Sequence, residues 1–134
     1  MFQLHPRLAE DSVPVTILSL CEVRLQTDAN FPWLVLVPQR ESVRHIHRMS
    51  QQDQQQLAVE TSFVASNFET LTNADNINVA ALGNMVPQLH IHIIARFKTD
   101  PAWPDPIWGI VLRKAYTDKA LGELAAQLKK ALIS

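Results

Sequence analysis

Cysteine is nearly missing from this chain of 134 residues. Cys21 stands alone, so no internal disulfide can form, which excludes a disulfide framework and fits a reducing compartment. Its place in an apolar run marks it as a small core residue rather than a reactive thiol. A charge excess is missing too. The formal net charge is −1, so no basic field covers the molecule, and sequence-independent nucleic-acid binding is excluded while small phosphorylated ligands are not. No apolar run approaches bilayer length, which excludes a membrane-spanning helix. The first residues, MFQLHPRLAED, hold no basic segment followed by an apolar stretch, so they do not read as a secretory signal. The expected location is the cytoplasm. There are no internal repeats, low-complexity tracts or linkers. One domain over 1–134 is therefore expected, with a C-terminal loop and helix from about residue 99 to 134.

What is present is ordinary globular material, 47% hydrophobic and 19% charged. Residues 3–11 suit a short helix with Pro6 in its first turn. Residues 15–20 and 22–27 read as strands, and residues 33–37 (WLVLV) as a strand covered on both faces. Residues 39–49 are polar and irregular. Ser50 is placed to cap a helix over 51–72 whose apolar stripe is Leu57, Thr61, Val64, Phe68 and Leu71. Residues 77–82 and 88–96 read as antiparallel neighbours joined by a tight turn at NMVP. Three prolines and two tryptophans make 99–109 a loop. Leu121, Leu124, Leu128 and Leu132 mark a last helix capped near Thr117. The order of elements predicts an α+β fold, an antiparallel sheet with helices packed on one face.

The most informative stretch is QLHIHIIAR. If residues 88–96 form a strand, alternation sends Gln88, His90 and His92 to one face and Leu89, Ile91, Ile93 and Ala95 to the other. Three readings are open for that row. It can be a solvated strand face. It can be a metal site, but zinc asks for about four ligands, and Ile93, Ile94, Ala95, Arg96, Phe97 and Lys98 supply none; no metal is expected. Or it can do phosphate chemistry. Gly83 and Asn84 precede it, allowing backbone amides close to an anion, and Arg96 and Lys98 follow it. A histidine with one ring nitrogen held by a backbone carbonyl can present the other to phosphorus, with His92, the Gln88 amide and loop N–H groups as donors to the developing charge. His45 and His47 form a second H-x-H, read as surface because no anion loop precedes it. His5, beside Pro6, reads as structural or solvated.

QLHIHII resembles the H-x-H-x-H-x-x signature (x apolar) of the histidine-triad (HIT) family of nucleotide hydrolases and transferases, with Gln88 in place of the first His. FPWLVLVPQR looks like that family's earlier strand, and GNMVPQ sits where it has its Gly-containing phosphate loop. The longer run NVAALGNMVPQLHIHIIARF is similar to a branch of dinucleoside-polyphosphate hydrolases in which Gln recurs at the first position. The resemblance spans about residues 22–98. It implies a five-stranded antiparallel sheet with helices, paired as a homodimer. It implies that His90 attacks the α-phosphorus of a nucleotide or dinucleoside polyphosphate, that His92 binds phosphate oxygens, and that Gly83 and Asn84 help hold phosphate. Asp28 is the match for the family's ribose-binding acid, and Asn78 for a polar nucleotide contact. No cofactor is implied, apart from Mg²⁺ carried by a polyphosphate substrate. Glutamine carries no proton to a leaving group near neutral pH. The alternative is therefore a nucleotide-binding protein with weak chemistry or none. Trp103 and Trp108 are read as packing anchors or as covers that close over the site.

Overall fold

Five strands, β1 (Ser12–Ile17), β2 (Cys21–Gln26), β3 (Trp33–Pro38), β4 (Asn76–Ala80) and β5 (Ile91–Arg96), pair antiparallel in the order β1-β2-β3-β5-β4. The structure, a computed structural model, describes residues 1–133. Three α-helices complete it: α1 (Pro6–Asp11), α2 (Gln51–Thr72) and α3 (Asp118–Leu132). The continuous apolar run of β3 is central, and its residues from Leu34 to Pro38 are all buried. That is what a strand covered on both faces requires.

Alternation along β3 and β5 divides the core. Leu34, Leu36, Ile91, Ile93 and Ala95 pack with Leu57, Val64 and Phe68 of α2 and Leu128 and Leu132 of α3. The apolar face of the histidine strand thus receives the two long helices, as expected. The opposite face is covered by shorter pieces. Leu8 of α1 and Val86 sit on Val35 and Val37, while Phe31, Ala102 and Ile107 sit on Ile94. His92 is the cross-strand partner of Val35 and therefore lies on this second face.

The capping residues act as their types predict. Ser50 Oγ accepts from Asp53 N at 3.1 Å to open α2, and Thr117 Oγ1 accepts from Ala120 N at 3.1 Å to open α3. Within α2, Leu71 is 39% exposed although the periodic stripe included it, while Glu60 is 4% exposed. The Glu60 carboxylate accepts from Leu20 N and Cys21 N, both at 2.8 Å, and from Gln56 Nε2 at 2.7 Å. Those partners make its burial tolerable and pin the β1–β2 turn to α2. Cys21 is fully buried, and burial, then the charge of Glu60, pushes its thiol up, so it is an inert core group.

Several boundaries differ from the sequence reading by one to three residues, and two of the differences have a clear physical reason. β1 starts at Ser12 and includes Pro14; it is an edge strand with an irregularity between Pro14 and Thr16, the kind of place where a sheet tolerates proline. The tight turn expected at NMVP is a longer connection over 81–90, because β4 ends at Ala80 and β5 begins at Ile91. Gly83 turns the chain at φ +69°, Val86 drops into the core on the second face, and Leu89 N donates to Val43 O at 3.0 Å. The connection is spent on covering that face rather than on closing a hairpin. No helix among the described residues is long and apolar enough to cross a membrane.

Candidate active site

The second face carries a cleft of about 480 Å³. His90 and His92 lie in it with Trp33, Asp28, Trp108 and the 82–86 segment that includes Gly83 and Asn84. The connection 81–90 forms one rim, the N-terminal helix another, and the loop after β5 a third.

Two neighbouring rings are fixed in opposite tautomers. His90 Nδ1 lies 2.7 Å from the main-chain oxygen of Gln88. A carbonyl only accepts, so Nδ1 carries a proton, and in the neutral ring Nε2 keeps its lone pair. At His92 the partner is a donor: Trp33 Nε1–H donates to Nδ1 at 3.0 Å. In the neutral His92 ring the proton is then on Nε2. Burial, then the nearby His90, lowers the His92 pKa from 6.5 to about 4, so this ring is neutral at physiological pH. The ring centroids are 4.9 Å apart and nearly perpendicular, and both residues are over nine-tenths buried. One ring offers an electron pair and the other an N–H, each at Nε2. That pairing suits attack on an electrophile whose oxygens gain charge.

Gln88 is not in that row. The strand begins at Ile91, three residues later than expected, so Gln88 and His90 both precede it; His90 still faces the cleft and Gln88 turns away. Its amide is bound to the N-terminal segment instead: Oε1 accepts from His5 N and Nε2 donates to Gln3 O, both at 2.8 Å. It does not line the cleft, and what it contributes there is its main-chain carbonyl. Asn78 also lies outside the cleft lining. Its Oδ1 accepts from Arg96 Nη1 at 2.8 Å, because β4 and β5 place both residues beside a buried ion pair. Arg96 is 2% exposed and is held by both carboxylate oxygens of Asp100, at 2.8 and 3.1 Å. Its charge is spent within the fold rather than on phosphate. Lys98 is exposed and outside the cleft.

Asp28 does line the cleft, and it is also the turn former that its type suggests. Its Oδ1 accepts from Asn30 N, Asn30 Nδ2 and Lys114 N at 2.8–3.2 Å. The tryptophans divide. Trp108 stands edge-on to His92 at 5.2 Å and to Trp33 at 6.3 Å, so it packs against His92 at the cleft. Trp103 packs near the Arg96 guanidinium, 5.8 Å from its ring centroid, and is an anchor outside the cleft. His5 caps α1, its Nδ1 accepting from Arg7 N at 3.1 Å. Among the described residues no three His, Cys, Asp or Glu side chains gather as a metal site would need.

Sequence reasoning missed Trp33 as the partner of His92, and missed Arg7, Asp11, Gln26 and Arg113 on the cleft wall. Alternation puts Trp33, Val35 and Val37 on one face of β3. That this face meets the histidines follows only from the β3–β5 pairing, in which Val35 opposes His92. The four wall residues come from α1, β2 and the late loop, and no local motif joins them.

The family model described as HIT domain matches residues 9–99. Solved histidine-triad proteins from Bradyrhizobium japonicum and Sinorhizobium meliloti are each 40% identical to the chain, cover 98% of both chains and superpose with TM-score 0.95. A histidine-triad protein from Marinobacter aquaeolei is 43% identical over 98% of this chain and 96% of its own, also with TM-score 0.95. A search of curated proteins found no match.

Proposed function

Because the chain belongs to the HIT-domain family, whose members are typically nucleotide hydrolases, we propose that it cleaves dinucleoside polyphosphates or related nucleotidyl compounds at the α-phosphate through a nucleotidyl-His90 intermediate. The observation that carries this is the Gln88 carbonyl on His90 Nδ1. In the neutral ring it leaves Nε2 as a lone pair, on a buried residue that lines the cleft.

In the first step His90 Nε2 bonds to the α-phosphorus, and the bond from phosphorus to the leaving-group oxygen breaks. The leaving group departs with that electron pair. In the second step water attacks the same phosphorus, the P–N bond breaks, and Nε2 recovers its pair as the water proton is released. His92 Nε2–H donates to a non-bridging oxygen as charge builds. Gly83 and Asn84 hold phosphate, and Asp28 takes the ribose hydroxyls. The scheme needs no cofactor resident in the protein; Mg²⁺ accompanies a polyphosphate substrate. The active unit is proposed as a homodimer, which sedimentation would read.

A second reading, nucleotide binding with little turnover, is favoured by one observation. Both ends of the Gln88 amide are engaged by backbone, so that position supplies no proton to a leaving group. Hydrolysis of diadenosine tetraphosphate and calorimetric binding of AMP, compared between the native protein and His90→Ala, separate the two. The first reading expects turnover to fall by about 10³-fold or more in the variant, with AMP affinity kept within about threefold. Equal hydrolysis by both proteins rejects the mechanism. AMP binding without turnover by the native protein selects the second reading.

A further inference from the structure

His90 lines a second, smaller cleft of about 210 Å³. It shares Leu82, Gly83 and His90 with the larger one, so the two clefts meet at the nucleophile. Its outer wall is the polar segment after β3, carrying Arg44, His45 and His47. His45 and His47 are the second H-x-H of the chain, on a polar segment expected at the surface. The side chains are indeed exposed, but they border the reacting histidine. The imidazoles of His45 and His47 are stacked, with centroids 5.2 Å apart and planes 14° from parallel. Arg44 Nη2 reaches Gly83 O at 3.4 Å, a long bond that leaves the rest of the guanidinium fork free. Among the described residues no carboxylate lines this cleft. Three donor side chains without a counter-charge suit an anion with many oxygens.

We propose that this second cleft is the leaving-group subsite, built for a chain of phosphates held by Arg44, His45 and His47. The inference rests on the reading of His90 as nucleophile toward the α-phosphorus. When the bond from phosphorus to oxygen breaks, the departing polyphosphate keeps the electron pair and gains negative charge. A guanidinium at that point neutralises the charge without a proton transfer. The subsite thereby replaces the acid that Gln88 cannot be, and it makes the enzyme selective for phosphate-chain leaving groups.

The test compares two adenylyl donors, diadenosine tetraphosphate and the 4-nitrophenyl ester of AMP, whose leaving group has no phosphate. In Arg44→Ala the ratio of kcat/KM for the first donor over the second is expected to fall about tenfold or more. His47→Ala should lower it in the same direction. An unchanged ratio overturns the proposal. A separate titration uses inorganic tripolyphosphate on protein saturated with AMP. The native protein should bind it about tenfold more tightly than Arg44→Ala; equal affinity overturns the proposal. If the native protein cleaves neither donor, the hydrolytic reading of His90 fails on its own. The titration then decides alone whether the second cleft holds a phosphate chain.

Discussion

At the residue scale, the two motif histidines are adjacent yet are asked for opposite things, and one indole N–H secures the difference. Trp33 occupies the Nδ1 lone pair of His92, which favours the neutral ring. Trp33→Phe frees that lone pair. The His92 pKa should rise from about 4, readable by the pH dependence of its ring resonances. kcat should fall by about tenfold, the worth of one net hydrogen bond, with KM little changed. The depressed pKa also has a stability consequence. An unfolded His takes its proton near its ordinary 6.5, while the folded one resists it until about 4. Stability therefore falls as pH drops from about 6.5 to about 4 and levels off below, by roughly 3 kcal/mol at full effect. In His92→Asn, urea titrations across that window should show a shallower loss. That His90 and His92 share one face was legible in their spacing and in the apolar residues between them. The tautomers were not, because each is set by a partner that no local pattern identifies as such.

At the element scale, two buried carboxylates tie connecting segments to the elements beside them. Asp100 binds Arg96 with both oxygens and also accepts from the backbone N–H groups of Phe97, Ala102 and Trp103. Burial alone would raise its pKa, but the Arg96 bond and those N–H groups hold it at about 2. It thus roots the loop carrying Trp108 to the end of β5. Asp100→Ala leaves Arg96 charged and buried, and should cost about 3–5 kcal/mol in denaturant unfolding. Glu60→Ala orphans Leu20 N and Cys21 N and should cost about 2–4 kcal/mol, with KM unchanged in the folded fraction. Periodicity located α2 and its cap from the sequence, because a long stripe and a Ser N-cap are local signals. Leu71 departs from its expected place on the buried stripe, while Glu60 is buried, because burial follows the partner across the gap, which periodicity does not see. The connection 81–90 was misjudged for a related reason. Val86 could be read as a turn residue only while its destination on Val35 and Val37 was unknown.

At the scale of the whole molecule, the sheet separates stability from chemistry. One face is occupied by the two long helices, which bury most of the apolar surface. The other is covered by α1 and by loops, which leave a cleft where His90 and His92 would otherwise be sealed. The α+β class, the antiparallel sheet and the apolar side of the histidine strand were legible because alternation and element order encode them directly. The wall residues Arg7 and Arg113 and the clamp of Gln88 on Gln3 and His5 join residues far apart in the chain. Only the closed fold brings them together. The measurement that bears most directly on the central claim is intact-protein mass after brief mixing with an adenylyl donor, stopped in mild base to preserve a phosphorus–imidazole bond. The expected result is a mass gain of one adenylyl group in the native protein and none in His90→Ala. An adduct that persists in His90→Ala, or hydrolysis by the native protein with no adduct at any time point, would contradict nucleophilic attack by His90.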